Sequence, residues 1–132
     1  MPIQSVLVID DDDFTQVLFQ GMLEDWGIAD VHLAGNGREA LRLMAALPRP
    51  PDVLICDVFM PDMDGIEFLE VLAQKKYAGS VVLVSGMNMD MMVVARDLAL
   101  SNGLRVVGAF IKPVKADLLA HTLGLDTHFN PA

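Results

Sequence analysis

Five short apolar runs punctuate the chain, at positions 6–9, 31–34, 53–56, 81–84 and 106–111, and three of them are nearly continuous in Val, Leu and Ile. Such runs predict strands covered on both faces, as in a parallel sheet, because a sheet with one wet face alternates apolar with polar residues. Helix-length segments lie between them. Phe14, Leu18, Met22 and Trp26 share one stripe and predict a first helix; Ala40, Met44 and Leu47 predict a second, closed by the prolines of 48–51. Ile66, Leu69, Leu72 and Ala73 mark a third. Residues 91–100 form a fourth, with Met91, Val94, Ala95 and Leu98 as its buried stripe, and 116–123 a fifth.

Five strand-then-helix units without a repeat or an internal linker predict a doubly wound α/β domain. Its five-stranded parallel sheet takes the flavodoxin-like order 2-1-3-4-5, with helices on both faces. In such sheets ligands sit beyond the carboxyl ends of the strands, where the strand order reverses. Those ends carry chemistry. Asp10, Asp11 and Asp12 follow the first strand, Asp57 the third, Ser85 the fourth and Lys112 the fifth, so all of them face one crevice.

The stretch "VLVIDDDDFT" stacks four aspartates behind an apolar strand. Two carboxylates about 4 Å apart repel by about 4 kcal/mol at an effective dielectric near 20. Three explanations are open: a solvated acidic loop, a cation site, or a reacting carboxylate in a phosphoryl-transfer pocket. Asp13, just ahead of the helix that starts near Phe14, reads as a cap or a solvated residue. Asp10 and Asp11, counted with Asp57 and without His or Cys beside them, read as ligands of a hard cation, Mg2+ with Mn2+ as the alternative. Asp57 can act as a nucleophile toward phosphorus, with Ser85 and Lys112 supplying a hydrogen bond and a charge.

Composition narrows the surroundings of that site. At 132 residues and 53% hydrophobic, the chain buries about two-thirds of its unfolded surface as one domain. A formal charge of −9 argues against direct contact with nucleic acid, which requires a basic face. No apolar run reaches the ~18 residues of a membrane span and no signal segment opens the chain, so a cytoplasmic location is expected, with no membrane partner. The single cysteine, Cys56, excludes an internal disulfide and reads as core. His32, His121 and His128 share no ligand spacing, and the Asn-Gly turn of "AGNGRE" opens the second helix.

These residues carry a resemblance that covers essentially the whole chain. The Asp10–Asp11 pair, the loop Asp57-x-x-Met60-Pro61-x-x-Asp64-Gly65, Ser85, and Lys112-Pro113 stand in the order seen in receiver domains of bacterial two-component response regulators. "AGNGREAL" and "GIEFLEVL" also match that family. The resemblance implies Asp57 as phosphoacceptor and Asp11, Asp57 and the Phe59 backbone carbonyl as Mg2+ ligands, with Asp10 acting through water. It implies Ser85 and Lys112 as the pair that senses and stabilises the phosphoryl group, and a cis Lys112–Pro113 bond. A histidine kinase or phosphotransfer protein is the implied donor, and an output domain or downstream protein the implied receiver of the signal. No enzymatic activity is expected beyond the domain's own phosphorylation and dephosphorylation. The receiver is expected over 1–125, with 126–132 a tail or the start of a linker.

Two features depart from the family. Where receivers usually carry a switching Tyr or Phe, three residues before the lysine, this chain has Ala109, with Phe110 next to it and facing the other way. The segment from Ser85 to Lys112 is also longer than usual, and its end, "SNGLRVVGAFIKPV", is similar to receivers fused to EAL-type cyclic-di-GMP phosphodiesterase domains. Val93 and Leu100 are left over from the buried stripe of the fourth helix, and Met87, Met89 and Met92 add flexible apolar side chains. That composition predicts a partner or homodimer surface on helix four and strand five. Two other readings compete. Asp11-Asp12-Asp13-Phe14-Thr15 fits the opening of haloacid-dehalogenase-like phosphatases with Asp11 as nucleophile, and a non-phosphorylated pseudo-receiver would serve only as a docking module.

Overall fold

The computed structural model describes residues 3–59, 65–86 and 89–125. Five strands, β1 (Ser5–Ile9), β2 (Asp30–Ala34), β3 (Val53–Asp57), β4 (Ser80–Ser85) and β5 (Arg105–Ile111), alternate with five helices. These are α1 (Asp13–Asp25), α2 (Gly37–Ala46), α3 (Gly65–Gln74), α4 (Met89–Ser101) and α5 (Ala116–Thr122). The strands form one parallel sheet, as the apolar runs predict, in the flavodoxin-like order β2-β1-β3-β4-β5. The predicted strands differ from the observed ones by at most one residue at either end. Each run is fully buried in the three central strands, save for the first residues of β1 and β4, and nothing competes with that signal.

Two apolar layers cover the sheet. On one face α2, α3 and α4 press Ala40, Phe68, Leu72, Met92 and Ala95 onto Leu7, Leu54, Cys56 and Leu83. On the other, α1 and α5 press Phe19, Leu23 and Leu119 onto Val6, Val8, Ile55 and Val84. Cys56 lies in the first layer, as its alternation within β3 predicts. Among the described residues, no helix is long and apolar enough to cross a membrane.

Helix phase is where the apolar pattern misleads. In α1 the buried residues are Phe19 and Leu23, whereas Phe14 is 69% exposed and Leu18 46%. A row of residues four apart advances about 40° per step at 3.6 residues per turn, so the Phe14 end of the row has turned away from the sheet by the time its Trp26 end reaches it. In α4 the buried stripe is Met92, Ala95 and Ala99, not Met91, Val94, Ala95 and Leu98. Apolar residues surround this helix almost completely, so periodicity does not choose a face, and the small alanines allow the close approach. Val94 is left 53% exposed, with Met89, Val93 and Leu100 also open. Phe68 joins Leu69 and Leu72 in the α3 core.

β5 is an edge strand whose register with β4 shifts between Val81 and Val82, where Val106 and Gly108 are the successive partners and Val107 is the extra residue. Beyond the shift, Leu83 pairs with Ala109 and Val84 with Phe110. Ala109 is exposed and Phe110 packs into the α1/α5 layer, so the aromatic lies on the opposite face from the position where a switching aromatic is expected.

Candidate functional site

Each chemical group stands where a strand stops. Asp10 is one residue past β1 and buried at 1% exposure; its main-chain N–H donates to the Ala34 carbonyl at the end of β2, at 3.0 Å. Asp57 closes β3 and is buried; Ser85 closes β4 and is buried; Lys112 follows β5, its N–H donating to the Ser85 carbonyl at 2.8 Å. Parallel pairing of β1, β3, β4 and β5 brings these four ends to one edge of the sheet. The carboxylates of Asp10, Asp11 and Asp57 come within 4.8 Å of one another, with Asp11 exposed and the other two buried.

Lys112 bridges the pair that is buried. Its Nζ lies 2.7 Å from Asp10 Oδ2 and 3.2 Å from Asp57 Oδ2. Burial pulls the ammonium's pKa down, but the bond to Asp10 and the charges of Asp57 and Asp10 outweigh it and hold the pKa above its usual value. Asp57 has the opposite problem. Burial raises its pKa from 3.8 to about 6, helped by the charge of Asp10, while the Phe59 N–H and Lys112 oppose the rise. The Phe59 N–H donates to Asp57 Oδ1 at 2.9 Å, and the Asp12 N–H donates to Asp10 Oδ1 at the same distance.

Three carboxylates against one ammonium leave two negative charges when all are ionised, and a divalent cation would neutralise both. The all-oxygen donor set suits Mg2+ or Mn2+ rather than a thiophilic metal. Phe59 is exposed, and the Lys112–Pro113 bond is cis. Met60, Pro61 and Asp64 of the loop after β3, and Met87 after β4, lie outside the described residues.

α3 meets the end of β3 through Gly65. Its N–H donates to the Val58 carbonyl at 3.0 Å, and a Cβ there would stand 2.6 Å from Val58 Cα and 2.8 Å from the Asp57 carbonyl oxygen. Only glycine admits that approach of α3 to the end of β3.

The helix cap falls on Asp12, not on Asp13. Asp12 accepts from the Thr15 N–H at 3.3 Å and from Thr15 Oγ1 at 2.6 Å, and that hydroxyl bond holds its carboxyl below the usual range. Asp13 is the exposed first residue of α1. Position 36 behaves as its turn suggests: Asn36 caps α2 by accepting from the Glu39 N–H at 2.8 Å, and Glu39 accepts in return from the Gly35 N–H. One residue near the site escapes sequence reading altogether. Gln16 donates to the carbonyls of Asp10 and Ala34, and a glutamine on an exposed-looking turn of helix gives no pattern to find.

The phosphatase alternative loses its geometry here. It makes Asp11 the nucleophile and gives Asp57 no role, yet Asp11 is exposed and the buried, lysine-linked carboxylates are Asp10 and Asp57. Comparison with known proteins agrees. The model of the response regulator receiver domain matches residues 6–123. The chemotaxis protein CheY of Listeria monocytogenes is 30% identical over 118 residues, covering 89% of this chain and 93% of its own length. The probable C4-dicarboxylate response regulator DctR of Bacillus subtilis is 32% identical over 119 residues, 89% of this chain and 50% of that protein. Among solved structures, a response regulator from Colwellia psychrerythraea superimposes with a TM-score of 0.78 at 31% identity, over 96% of this chain and 98% of that one. Sheet order, strand-end chemistry and sequence therefore agree: the chain belongs to the receiver domains of two-component response regulators.

Proposed function

We propose that Asp57 is the phosphoacceptor and that its carboxylate takes a phosphoryl group from a histidine kinase, a phosphotransfer protein or a small phosphodonor. The observation that carries this reading is the buried Asp57, held by Lys112 beside a second buried carboxylate at the carboxyl edge of the sheet. An Asp57 oxygen bonds to phosphorus as the donor's P–N or P–O bond breaks, and the leaving atom keeps the electron pair and takes up a proton. A bound Mg2+ or Mn2+ supplies charge neutralisation for the incoming phosphoryl oxygens. Asp11, Asp57 and the Phe59 carbonyl hold it, with Asp10 acting through water. Ser85 and Lys112 donate to the phosphoryl oxygens; Lys112, already within reach of Asp57, moves little.

The donor has a surface to meet. Phe14, Leu18 and Met22 of α1 face Pro113 and Val114 across a cavity of about 320 Å³ that Lys112 also lines. Phe14 and Leu18 are exposed beside it, so an apolar helix laid there sits next to Asp57. The response leaves by another face. Met89, Val93, Val94 and Leu100 on α4 and Ile111 on β5 are open. This surface follows directly on Ser85 and serves an output domain, a downstream protein or a second copy of the chain. With Ala109 exposed and Phe110 turned away, α4 itself is the moving part rather than an aromatic on β5. The output is an EAL-type phosphodiesterase domain, a reading that rests on "SNGLRVVGAFIKPV" alone. We assign the receiver to 1–125, with 126–132 as tail or linker, and place it in the cytoplasm, where histidine kinases present their phosphodonors.

Incubation with acetyl phosphate and Mg2+ tests the acceptor. Intact mass rises by one phosphate in the wild type and stays unchanged in Asp57→Asn or after chelation; a phosphate on Asp57→Asn overturns the assignment. For the surface, sedimentation with beryllofluoride shows a change of self-association or output-domain binding that Val93→Asp and Leu100→Asp remove. An unaltered wild type excludes this face as the switch.

A further inference from the structure

Asp10 sits one residue beyond β1, where the sheet's hydrogen-bond ladder runs out and a buried carbonyl needs another donor. Gln16, one turn into α1, provides it. Its Nε2 donates to the Asp10 carbonyl at 2.7 Å and to the Ala34 carbonyl at 3.1 Å. Both partners are acceptors, so only the NH2 end of the amide can face them, which fixes its orientation. The Ala34 carbonyl also accepts the Asp10 N–H at 3.0 Å. Asp10 is therefore fastened at both main-chain groups, by its N–H to the end of β2 and by its carbonyl to α1.

This matters for the neighbour. The Asp10 carbonyl belongs to the planar peptide unit that leads into Asp11, so holding that oxygen sets the direction in which Asp11 leaves the sheet. Asp11 is exposed and has little packing to orient it; Asp10, by contrast, is bonded through its carboxylate to the Asp12 N–H and to Lys112. We infer that Gln16 is a positioning residue for the divalent-cation site, aiming the Asp10–Asp11 pair at Asp57 by tying the ends of β1 and β2 to α1. The inference rests on the cation reading of those carboxylates, and Gln16 acts through the backbone of Asp10.

A glutamine that merely staples a helix to a sheet would affect stability alone, so the test separates affinity from stability. Gln16→Met keeps length and volume without a donor, and Gln16→Asn keeps the amide one methylene short of the two carbonyls. Titration with MgCl2 by calorimetry should show affinity about tenfold weaker in both, the usual scale for losing a group that orients a metal ligand. In the metal-free proteins, amide hydrogen exchange at Asp10 and Asp12 should quicken. Asp52→Ala, which removes two backbone bonds at the opposite edge of the sheet, should lower the melting temperature and leave Mg2+ affinity as it was. If both Gln16 variants melt lower but bind Mg2+ as tightly as the wild type, the inference is overturned. A wild type that binds no Mg2+ would defeat the cation reading itself, a result visible without any variant.

Discussion

Two aspartates bracket β3, and they do unlike work. Asp52, just before the strand, is exposed; its Oδ2 accepts the Gln4 N–H at 2.8 Å and the Ser5 N–H at 3.1 Å, while its own carbonyl accepts the Ser80 N–H at 3.0 Å. It staples the starts of β1 and β4 to β3, beside the buried Tyr77 hydroxyl that donates to the Pro51 carbonyl at 2.7 Å. Asp57, at the other end, is buried, takes one backbone N–H, and shares one ammonium with Asp10. A carboxylate in water whose lone pairs already hold backbone donors is at rest. A buried one that must share its counter-charge gains from any cation or any covalent partner that removes its charge. Position relative to the sheet, not residue type, makes the difference.

The largest effect expected from this contrast comes from the two crowded glycines. Gly65 abuts Val58 at the Asp57 end, and a Cβ on Gly79 at the Asp52 end would run into the Tyr77 ring and the Asp52 carbonyl. Gly65→Ala and Gly79→Ala should each cost about 3 kcal/mol in chemical denaturation. Only Gly65→Ala should also weaken Mg2+ binding, since only its end carries the site. Equal loss of Mg2+ affinity in both would erase the distinction between the ends.

Next in size is the loss of counter-charge. Lys112→Met leaves Asp10 and Asp57 buried and facing each other, and should cost about 2 kcal/mol, less than for a fully buried pair because the lysine is partly exposed. Millimolar Mg2+ should restore most of it. Asp52→Ala should cost about 1 kcal/mol for two exposed N–H groups that water can satisfy, and Mg2+ should restore none of it. Denaturant melts with and without Mg2+ read both.

The two ends should also differ in pH dependence. The metal-free Asp57 carboxyl titrates near pH 6, above its ordinary 3.8, so folding favours the protonated form. The cost of the charged form is absent below about pH 4 and complete above about pH 6. Asp57→Asn should therefore raise the melting temperature of the metal-free protein above pH 6 and lose that advantage toward pH 4. A constant difference across this range would mean that Asp57 is not strained.

The same contrast explains what the sequence discloses. Strand bounds follow from the Val, Leu and Ile runs and the sheet order from the flavodoxin-like pattern of a doubly wound domain, and Asp10, Asp57, Ser85 and Lys112 stand out because each directly follows such a run, with Asp11 beside Asp10. The phases of α1 and α4 do not follow, since Val94 and Phe14 are as apolar as the residues that pack. The capping role of Asp12, and Gln16 and Asp52 altogether, escape notice for a different reason. Each works by bonding to main-chain groups, which leave no mark in residue type.

The central claim is that the strained carboxylate is the one that reacts. Borohydride reduces an aspartyl phosphate to homoserine, so treatment after acetyl phosphate and Mg2+, followed by peptide mass spectrometry, locates the acceptor directly. Homoserine at position 57 alone, absent when a chelator is added, is the predicted result. Homoserine at position 11 or 52, or label at 57 that ignores the chelator, would contradict it.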